Sequence, residues 1–301
     1  MPRTSIPFGF INANKPAGIT STAFGSRVRR ALGRMPLGHW GTLDPDATGV
    51  LVLAVGHATK LLPLLGDGRK KYEFDLVLGS ATDTGDASGA TIASSDTPDS
   101  WRLKLPDVVQ SVSGKLSQIP PMYSAVKVAG QPLYKSARRG EEVTRQPRTV
   151  EIYTLRVLEY GHSRARLALE CSAGTYVRTL CEEIGNRLGV PAHMDALVRT
   201  AAGPFNLATA CALEPLLADP SAHLIDPLDV LHQARVALKP EHLARFAHGN
   251  SVLVAGEPSI GEVLVTCDGH TVGTGIVTAT TEGALLQPAR VFVEAGSLAK
   301  S

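Results

Sequence analysis

The residues best suited to chemistry lie in segment 38–49, which reads Gly-His-Trp-Gly-Thr-Leu-Asp-Pro-Asp-Ala-Thr-Gly. Asp44 stands among glycines and a proline, which constrain the backbone of the loop that carries it. An apolar run at 50–55 follows directly and predicts a buried strand. A carboxylate on a constrained loop beside a buried strand is typical of acid–base or nucleophilic chemistry. Asp44 is therefore the first candidate catalytic residue.

A second carboxylate, Asp46, follows two residues later. Cleavage of a glycosidic bond by acid and base requires a pair of carboxylates, so a hydrolase that uses both aspartates is one interpretation. Asp46 equally fits a loop or helix-capping residue, because aspartate side chains often hydrogen-bond to nearby backbone groups. From the residues alone, both interpretations stay open.

Another candidate cluster is segment 171–178, Cys-Ser-Ala-Gly-Thr-Tyr-Val-Arg, where a predicted strand ends in a glycine turn. In an extended chain Tyr176 and Arg178 would point to the same side. An arginine beside a carboxylate keeps it ionised and oriented, and a tyrosine offers a flat face to a base. An interior tyrosine and a surface arginine are the alternative.

Two further segments combine cations with aromatic rings. Arg69, Lys70 and Lys71 directly precede Tyr72 at the start of a predicted strand. Segment 119–148 contains two tyrosines, two glutamates and six cations, namely Lys127, Lys135, Arg138, Arg139, Arg145 and Arg148. Cations bind phosphates and aromatic rings stack on bases, so both segments suit a nucleic acid, the second as a mobile phosphate-binding flap. For the first segment, a solvated turn before a core aromatic is the alternative.

Charge is distributed unevenly along the chain. Six cations and no acidic residue precede Asp44, whereas nine acidic residues and five Lys or Arg follow residue 218. A basic N-terminal part suits a polyanionic partner, although a solvated basic helix would carry the same charge. The four cysteines form no C-x-x-C pair, and no apolar run is long enough to span a membrane. We expect a cytoplasmic protein, and no nucleotide-binding or serine-hydrolase motif occurs.

A mixed set of elements must position these residues. Strands are predicted at 8–13, 50–55, 72–78, 149–158 and 164–171, and helices at 22–33, 57–65, 106–113 and 179–188. Short strands separated by glycines are predicted at 252–254, 262–267, 273–278 and 289–293, after a linker at 214–229. We therefore predict an α+β fold, with a catalytic domain over 1–230 and a small all-β domain over 235–295.

The chain resembles the TruB family of bacterial tRNA pseudouridine synthases in four motifs, which occur in the order 14–21, 38–49, 119–127 and 174–178. The first reads Asn-Lys-Pro-Ala-Gly-Ile-Thr-Ser and the third Ile-Pro-Pro-Met-Tyr-Ser-Ala-Val-Lys. The resemblance implies a mixed-sheet catalytic domain with an RNA-clamping insertion at about 119–148 and a PUA-like RNA-binding module at the C terminus. It also implies isomerisation of uridine 55 to pseudouridine in the T-arm of tRNA.

The resemblance assigns roles to four of the residues above. Asp44 matches the family's catalytic aspartate, and Arg178 matches the arginine that pairs with it. Tyr72 matches the active-site tyrosine that stacks on the target base, and Tyr176 matches a second tyrosine at the pocket. Whether the aspartate attacks the sugar carbon or removes a proton from the ribose is left open.

Further contacts follow from the same resemblance. His39 matches a histidine that contacts the RNA near the flipped uridine, and Leu197 falls at the position of an apolar pocket residue. We assign RNA contacts to four cations, Lys15, Lys127, Arg138 and Arg139.

We expect tRNA as the partner, no metal, no small-molecule cofactor, no membrane and a monomer. A non-catalytic RNA-binding or tRNA-folding protein on the same scaffold is the second hypothesis, and a folding role could accompany catalysis.

Overall fold

The computed structural model describes residues 8–293 except 125, 129, 134, 135, 137, 138, 140, 142 and 282, and gives only the backbone at 127, 128 and 132. Its α-helices are α1 (Ser21–Ala31), α2 (Trp101–Ser111), α3 (Val177–Leu188), α4 (Leu213–Ala218), α5 (Pro227–Val230) and α6 (Pro240–Ala247). Short 3₁₀ helices span Gly56–Lys60, Leu62–Leu64, Leu207–Thr209 and Ser221–His223.

The strands follow in chain order. The first nine are β1 (Gly9–Lys15), β2 (Leu37–Trp40), β3 (Thr48–Val55), β4 (Lys70–Leu78), β5 (Ser80–Thr82), β6 (Thr91–Ser94), β7 (Gly114–Gln118), β8 (Lys127–Val128) and β9 (Gln131–Pro132). The others are β10 (Arg148–Tyr160), β11 (Arg164–Cys171), β12 (Ala192–Ala202), β13 (Phe205–Asn206), β14 (Arg235–Ala237), β15 (Val252–Val254), β16 (Gly261–Cys267), β17 (His270–Thr280) and β18 (Gly283–Val291).

A large mixed sheet carries most of these elements. Its strand order is β1-β3-β12-β4-β11-β10-β7, with β2 beside β3 and β13 beside β12. Most neighbours are antiparallel, but β12 runs parallel to β3, where Val198 pairs with Thr48 and Arg199 with Gly49. β3, near residue 50, and β12, near residue 200, are therefore direct neighbours in the sheet although they lie far apart in sequence.

The burial of β3 explains its continuous apolar sequence, because both faces of this strand are covered. The side chains of one face join a core that also contains Phe24 of α1, Trp101 of α2 and Ile184 of α3. The other face packs in a second core that contains Phe10, Phe205 and Phe292. β4 instead alternates buried and half-exposed positions, so its inward side chains share one face.

Gly49 permits the close approach of β3 and β12. Its φ is +99°, and a Cβ atom at this position would lie 2.3 Å from the carbonyl oxygen of Arg199. A residue without a side chain is therefore required where the Asp44 loop enters β3. The loop is thus held directly against β12.

Residues 235–291 build a second, five-stranded sheet in the order β14-β16-β17-β18-β15. This sheet has its own core, in which Phe246 of α6 is fully buried. Just after β18, the ring of Phe292 stacks on His57, with centroids 5.4 Å apart, and meets Phe8 edge-on. In the part of the chain that the structure describes, no helix has the length and apolarity needed to cross a membrane.

The α+β class and the C-terminal sheet are confirmed, although α6 (Pro240–Ala247) also belongs to this C-terminal region, which is therefore not all-β. Some predicted helices are wrong. Segment 57–65 forms two short 3₁₀ helices, because Pro63 interrupts the run. The helix predicted from Pro106 begins at Trp101, because Trp101, Leu105 and Val109 recur every four residues and bury one face.

Several strands differ from the prediction as well. β2, β7 and β12 were not predicted as strands, and the last strand lies at Gly283–Val291 rather than at 289–293. β12 is rich in alanine and has weak strand propensity. Its conformation follows from tertiary placement between β3 and β4, which supplies backbone partners on both sides.

Candidate active site

A pocket of about 330 Å³ opens where the Asp44 loop, β4, β12 and the start of α3 meet. It brings together five residues that the sequence singled out, Asp44, Tyr72, Tyr176, Arg178 and Leu197. These residues come from four separate stretches of the chain.

Asp44 pairs with a buried arginine at the wall of this pocket. The Nη2 atom of Arg178 lies 3.2 Å from Oδ2 of Asp44. The guanidinium also donates to the carbonyl oxygens of Thr84 at 2.9 Å and Tyr123 at 2.7 Å, and its Nε lies 3.7 Å from Asp86. Only 4% of Arg178 is exposed. The arginine is therefore locked in place and fixes the orientation of the carboxylate.

The pocket makes Asp44 a stronger base than an aspartate in water. Burial raises the pKa of the Asp44 carboxyl above its ordinary value, and the Arg178 guanidinium opposes that rise. The nearby Asp86 carboxylate raises the pKa of Asp44 further. The balance suits a carboxylate that acts as nucleophile or base in its ionised form.

Tyr176 and Arg178 reach the pocket by a route that differs from the predicted one. Arg178 lies in the first turn of α3, so the chain is not extended between the two residues. Tyr176 directly precedes the helix, and the side-chain amide of Gln118 bonds to both its backbone N–H and its carbonyl, at 3.0 and 3.2 Å. The turn into the helix therefore presents both side chains to the pocket.

The apolar part of the pocket suits a flat ring. Tyr72 projects from β4 and is 7% exposed, and Leu197 and Met194 come from β12. Ala196, just before Leu197, has a φ of +48° and lies in a bulge of β12 that alters the register. Burial raises the pKa of the Tyr72 phenol, which therefore stays neutral near pH 7.

Two buried side chains hold the backbone of the Asp44 loop. The Ser21 hydroxyl, at the start of α1, bonds to both the N–H and the carbonyl of Leu43, at 2.8 and 2.9 Å. Arg199 is fully buried and donates to the carbonyl oxygens of Gly41 at 3.0 Å and Val50 at 2.6 Å. The loop is thus attached to α1, β3 and β12, which limits its movement.

Arg199 and Lys70 are pocket residues to which the sequence reasoning assigned no role in this site. Lys70 is 9% exposed, donates to the Gly68 carbonyl at 2.9 Å and lies 5.3 Å from the Trp40 ring centroid. Burial lowers the pKa of Lys70 to about 8. For Lys70 a signal was present, since it stands two residues before Tyr72 at the start of a predicted strand. β12 was not predicted as a strand, so there was no such signal for Arg199.

The placement of Lys15 contradicts its predicted RNA contact. Lys15 is fully buried, and its Nζ donates to the carbonyl oxygens of Pro16, Ile19 and Pro45 at 2.8, 2.7 and 2.9 Å. All three donors of the ammonium group are therefore used within the protein. Lys15 supports the Asp44 loop from beneath, because Pro45 directly follows Asp44.

Other predicted residues lie outside the pocket lining. Asp46 is exposed and does not line the pocket with Asp44. His39 is half-buried on β2, and its Nε2 lies 3.3 Å from the hydroxyl of Thr42, a lining residue. Burial lowers the pKa of His39, which favours the neutral ring.

The structure describes only part of the predicted RNA-clamping insertion at 119–148. Arg139 is exposed and forms a two-bonded ion pair with Glu141, at 2.6 and 2.7 Å. The side chain of Lys127 and all of Arg138 lie outside the described residues. Across the described chain, no group of three His, Cys, Asp or Glu side chains is arranged to hold a metal ion.

Comparison with known proteins places the chain in a family. The model of the TruB family pseudouridylate synthase N-terminal domain matches residues 29–177, and that of the tRNA pseudouridylate synthase B C-terminal domain matches 178–231. A tRNA pseudouridine synthase B from Geobacter sulfurreducens is 44% identical, over 97% of this chain and 94% of its own length. One from an Azoarcus species is 41% identical, over 89% and 90% of the two chains.

Solved structures agree with this assignment. A chain in the crystal structure of a Cbf5-Nop10-Gar1 complex superposes with a TM-score of 0.69 at 28% identity, covering 97% of this chain and 87% of its own. The identity and coverage of the relatives extend well beyond the four motifs. This protein therefore belongs to the TruB family of pseudouridine synthases.

Proposed function

We propose that the protein converts uridine 55 in the T-arm of tRNA into pseudouridine, with Asp44 as the essential carboxylate. The observation that carries the proposal is the Asp44–Arg178 ion pair at the wall of a pocket whose apolar part includes a buried tyrosine. The relatives named tRNA pseudouridine synthase B support tRNA as the substrate.

The reaction is an isomerisation within one nucleotide. The bond from the ribose C1′ to N1 of uracil breaks, the base rotates, and C1′ forms a bond to C5, while a proton leaves C5 and N1 gains one. The ionised Asp44 serves as nucleophile or base at the sugar, and Arg178 holds it ionised and oriented. The isomerisation neither adds nor removes atoms or electrons overall, so it requires no co-reactant.

The target nucleotide must leave the helical stack to reach Asp44. Tyr72 then holds the detached uracil by stacking, which contributes about 1–3 kcal/mol per base. Leu197 and Met194 complete the apolar surface against which the base rotates. Tyr176 serves as a second tyrosine at the pocket, and His39 contacts the RNA near the flipped uridine.

Outside the pocket, the RNA is held by cations. We assign phosphate contacts to the insertion at 119–148, including Lys127, Arg138 and Arg139, and a PUA-like RNA-binding role to the C-terminal sheet. These assignments divide the chain into a catalytic domain at 1–230 and an RNA-binding domain at 235–295. The protein works as a cytoplasmic monomer in this proposal, in keeping with four cysteines that are all free thiols.

The decisive test compares Asp44→Asn with Asp46→Asn. Turnover is measured as tritium release from C5-labelled uridine in tRNA, and tRNA binding is measured in parallel. We expect Asp44→Asn to abolish release while it keeps tRNA binding, because the pocket loses its ionised carboxylate but little volume. Asp46→Asn should retain activity, since Asp46 is exposed outside the pocket lining. Substantial turnover by Asp44→Asn would refute the role of this aspartate.

The reaction products distinguish an isomerase from a hydrolase, and a folding assay tests the non-catalytic alternative. Mapping of pseudouridine in tRNA treated with the wild type should find it at position 55, and modification elsewhere would contradict the substrate assignment. A hydrolase would instead release free uracil. Assays of tRNA folding with Asp44→Asn would reveal a folding role that is independent of catalysis.

A further inference from the structure

Ser124 is a lining residue of the pocket, and its buried hydroxyl has no hydrogen-bond partner among the described residues. Ser124 is 94% buried, since 6% of the residue is exposed. Another lining hydroxyl, that of Thr175, already donates to the carbonyl of Ser172 at 3.0 Å. Buried polar groups are nearly always hydrogen-bonded, so an exception at a ligand site indicates a partner that arrives with the ligand.

The position of Ser124 relates it to the reacting end of the pocket. The Nη2 atom of Arg178 lies 3.2 Å from the Asp44 carboxylate and 2.7 Å from the carbonyl oxygen of Tyr123, the residue before Ser124. One nitrogen atom therefore ties the backbone of this segment to the catalytic pair. Ser124 is therefore held near the Asp44 carboxylate, beside which the proposed function places the glycosidic bond of the target nucleotide.

We propose that the Ser124 hydroxyl forms a hydrogen bond with the base or ribose of the target nucleotide, and that it is a specificity-determining residue of this enzyme. The inference rests on the proposed function of the pocket. The side chains of Leu197 and Met194 and the ring face of Tyr72 offer apolar surface to the base, which does not select between polar edges. The Ser124 hydroxyl can select between ligands. A nucleotide with a matching polar group forms a hydrogen bond with it, whereas a nucleotide without that group leaves the hydroxyl buried and without a partner.

The first test is Ser124→Ala, which removes the hydroxyl and little volume. We expect kcat/KM for a T-arm RNA hairpin to fall on the order of 3- to 10-fold, the range for one neutral hydrogen bond. The matched control is Ser80→Ala, a half-buried serine on β5 outside the pocket lining, whose hydroxyl lies 3.4 Å from Nδ1 of His193. The control should retain the wild-type kcat/KM.

The second test identifies the partner atom and separates recognition from a structural role. Wild type and Ser124→Ala are compared on hairpins whose target is uridine, 2′-deoxyuridine, 2-thiouridine, 4-thiouridine or 3-methyluridine, with affinity and turnover both measured. We expect the two proteins to differ on uridine and to become equal on the one analogue that lacks the partner of the hydroxyl.

Three results would overturn the inference. Equal activity of wild type and Ser124→Ala on uridine would show that the hydroxyl is not used. A constant ratio across all five hairpins would show a structural effect. Absence of wild-type turnover on the uridine hairpin would overturn the proposed function itself, and this inference with it.

Discussion

Replacement of Arg178 by lysine or by methionine separates the charge of this side chain from its geometry. The guanidinium makes three contacts of 3.2 Å or less, to Asp44, Thr84 and Tyr123. Methionine removes all of them, and because the Asp44 side chain is 37% exposed, we expect a loss of about 3 kcal/mol, the lower end of the range for breaking a buried ion pair. Lysine keeps the charge but lacks the planar fork, so we expect the loss of about one charged hydrogen bond, 1.5–3 kcal/mol.

Activity and its pH dependence should respond differently. Both variants leave the carboxylate poorly oriented, and misplacement by about 1 Å costs on the order of 100-fold in rate. Arg178 opposes the rise of the Asp44 pKa, so its removal raises that pKa further. Because Asp44 acts when ionised, the acidic limb of the rate profile should move to higher pH in Arg178→Met and less in Arg178→Lys.

Urea unfolding and kcat/KM by tritium release, measured from acidic to neutral pH, supply the two readouts. The wild type serves as reference for both. An acidic limb in Arg178→Met that coincides with the wild-type limb would refute the claim that Arg178 sets the ionisation of Asp44. Wild-type stability in the same variant would refute the energetic part of the reasoning.

Two further predictions concern the support of the Asp44 loop. Gly49→Ala should destabilise the protein by at least about 2 kcal/mol more than Gly33→Ala, because both glycines have positive φ but a Cβ at Gly33 meets no atom within 4 Å; equal urea midpoints would contradict this. Burial lowers the pKa of Lys15 from 10.5 to about 8, so above pH 8 the folded protein releases a proton that the unfolded chain retains. The wild type should therefore gain about 2–3 kcal/mol of unfolding free energy over Lys15→Met between pH 7 and 10, and a constant difference would refute it.

The site residues that could be predicted from the sequence are those whose placement depends on their immediate neighbours in the chain. Asp44 stands on a loop whose glycines and proline are visible in the sequence, and Tyr72 follows from the alternation of β4. The family resemblance is confirmed by matches over most of the chain. The resemblance, rather than periodicity, brought Arg178 together with Asp44, because the two residues lie far apart in sequence.

The sequence failed where tertiary placement decides the outcome. β12 has weak strand propensity and becomes a strand because β3 and β4 both pair with it. Lys15 was predicted to contact RNA, yet three carbonyl groups accept its hydrogen bonds in the interior. Nothing in the local sequence distinguishes a lysine that meets three buried carbonyls from one that meets water.

The insertion of β12 between β3 and β4 has a consequence for synthesis and folding. A chain emerging from the ribosome completes β3 and β4 long before Ala192–Ala202 is available, so one edge of β4 and the Thr48–Gly49 end of β3 lack their partner meanwhile. Arg199, which bonds to the Gly41 carbonyl, and Leu197, which lines the pocket, arrive with that same late strand. The closing of the sheet and the completion of the pocket are thus one event, and a nascent or truncated chain that ends before β12 lacks the assembled pocket.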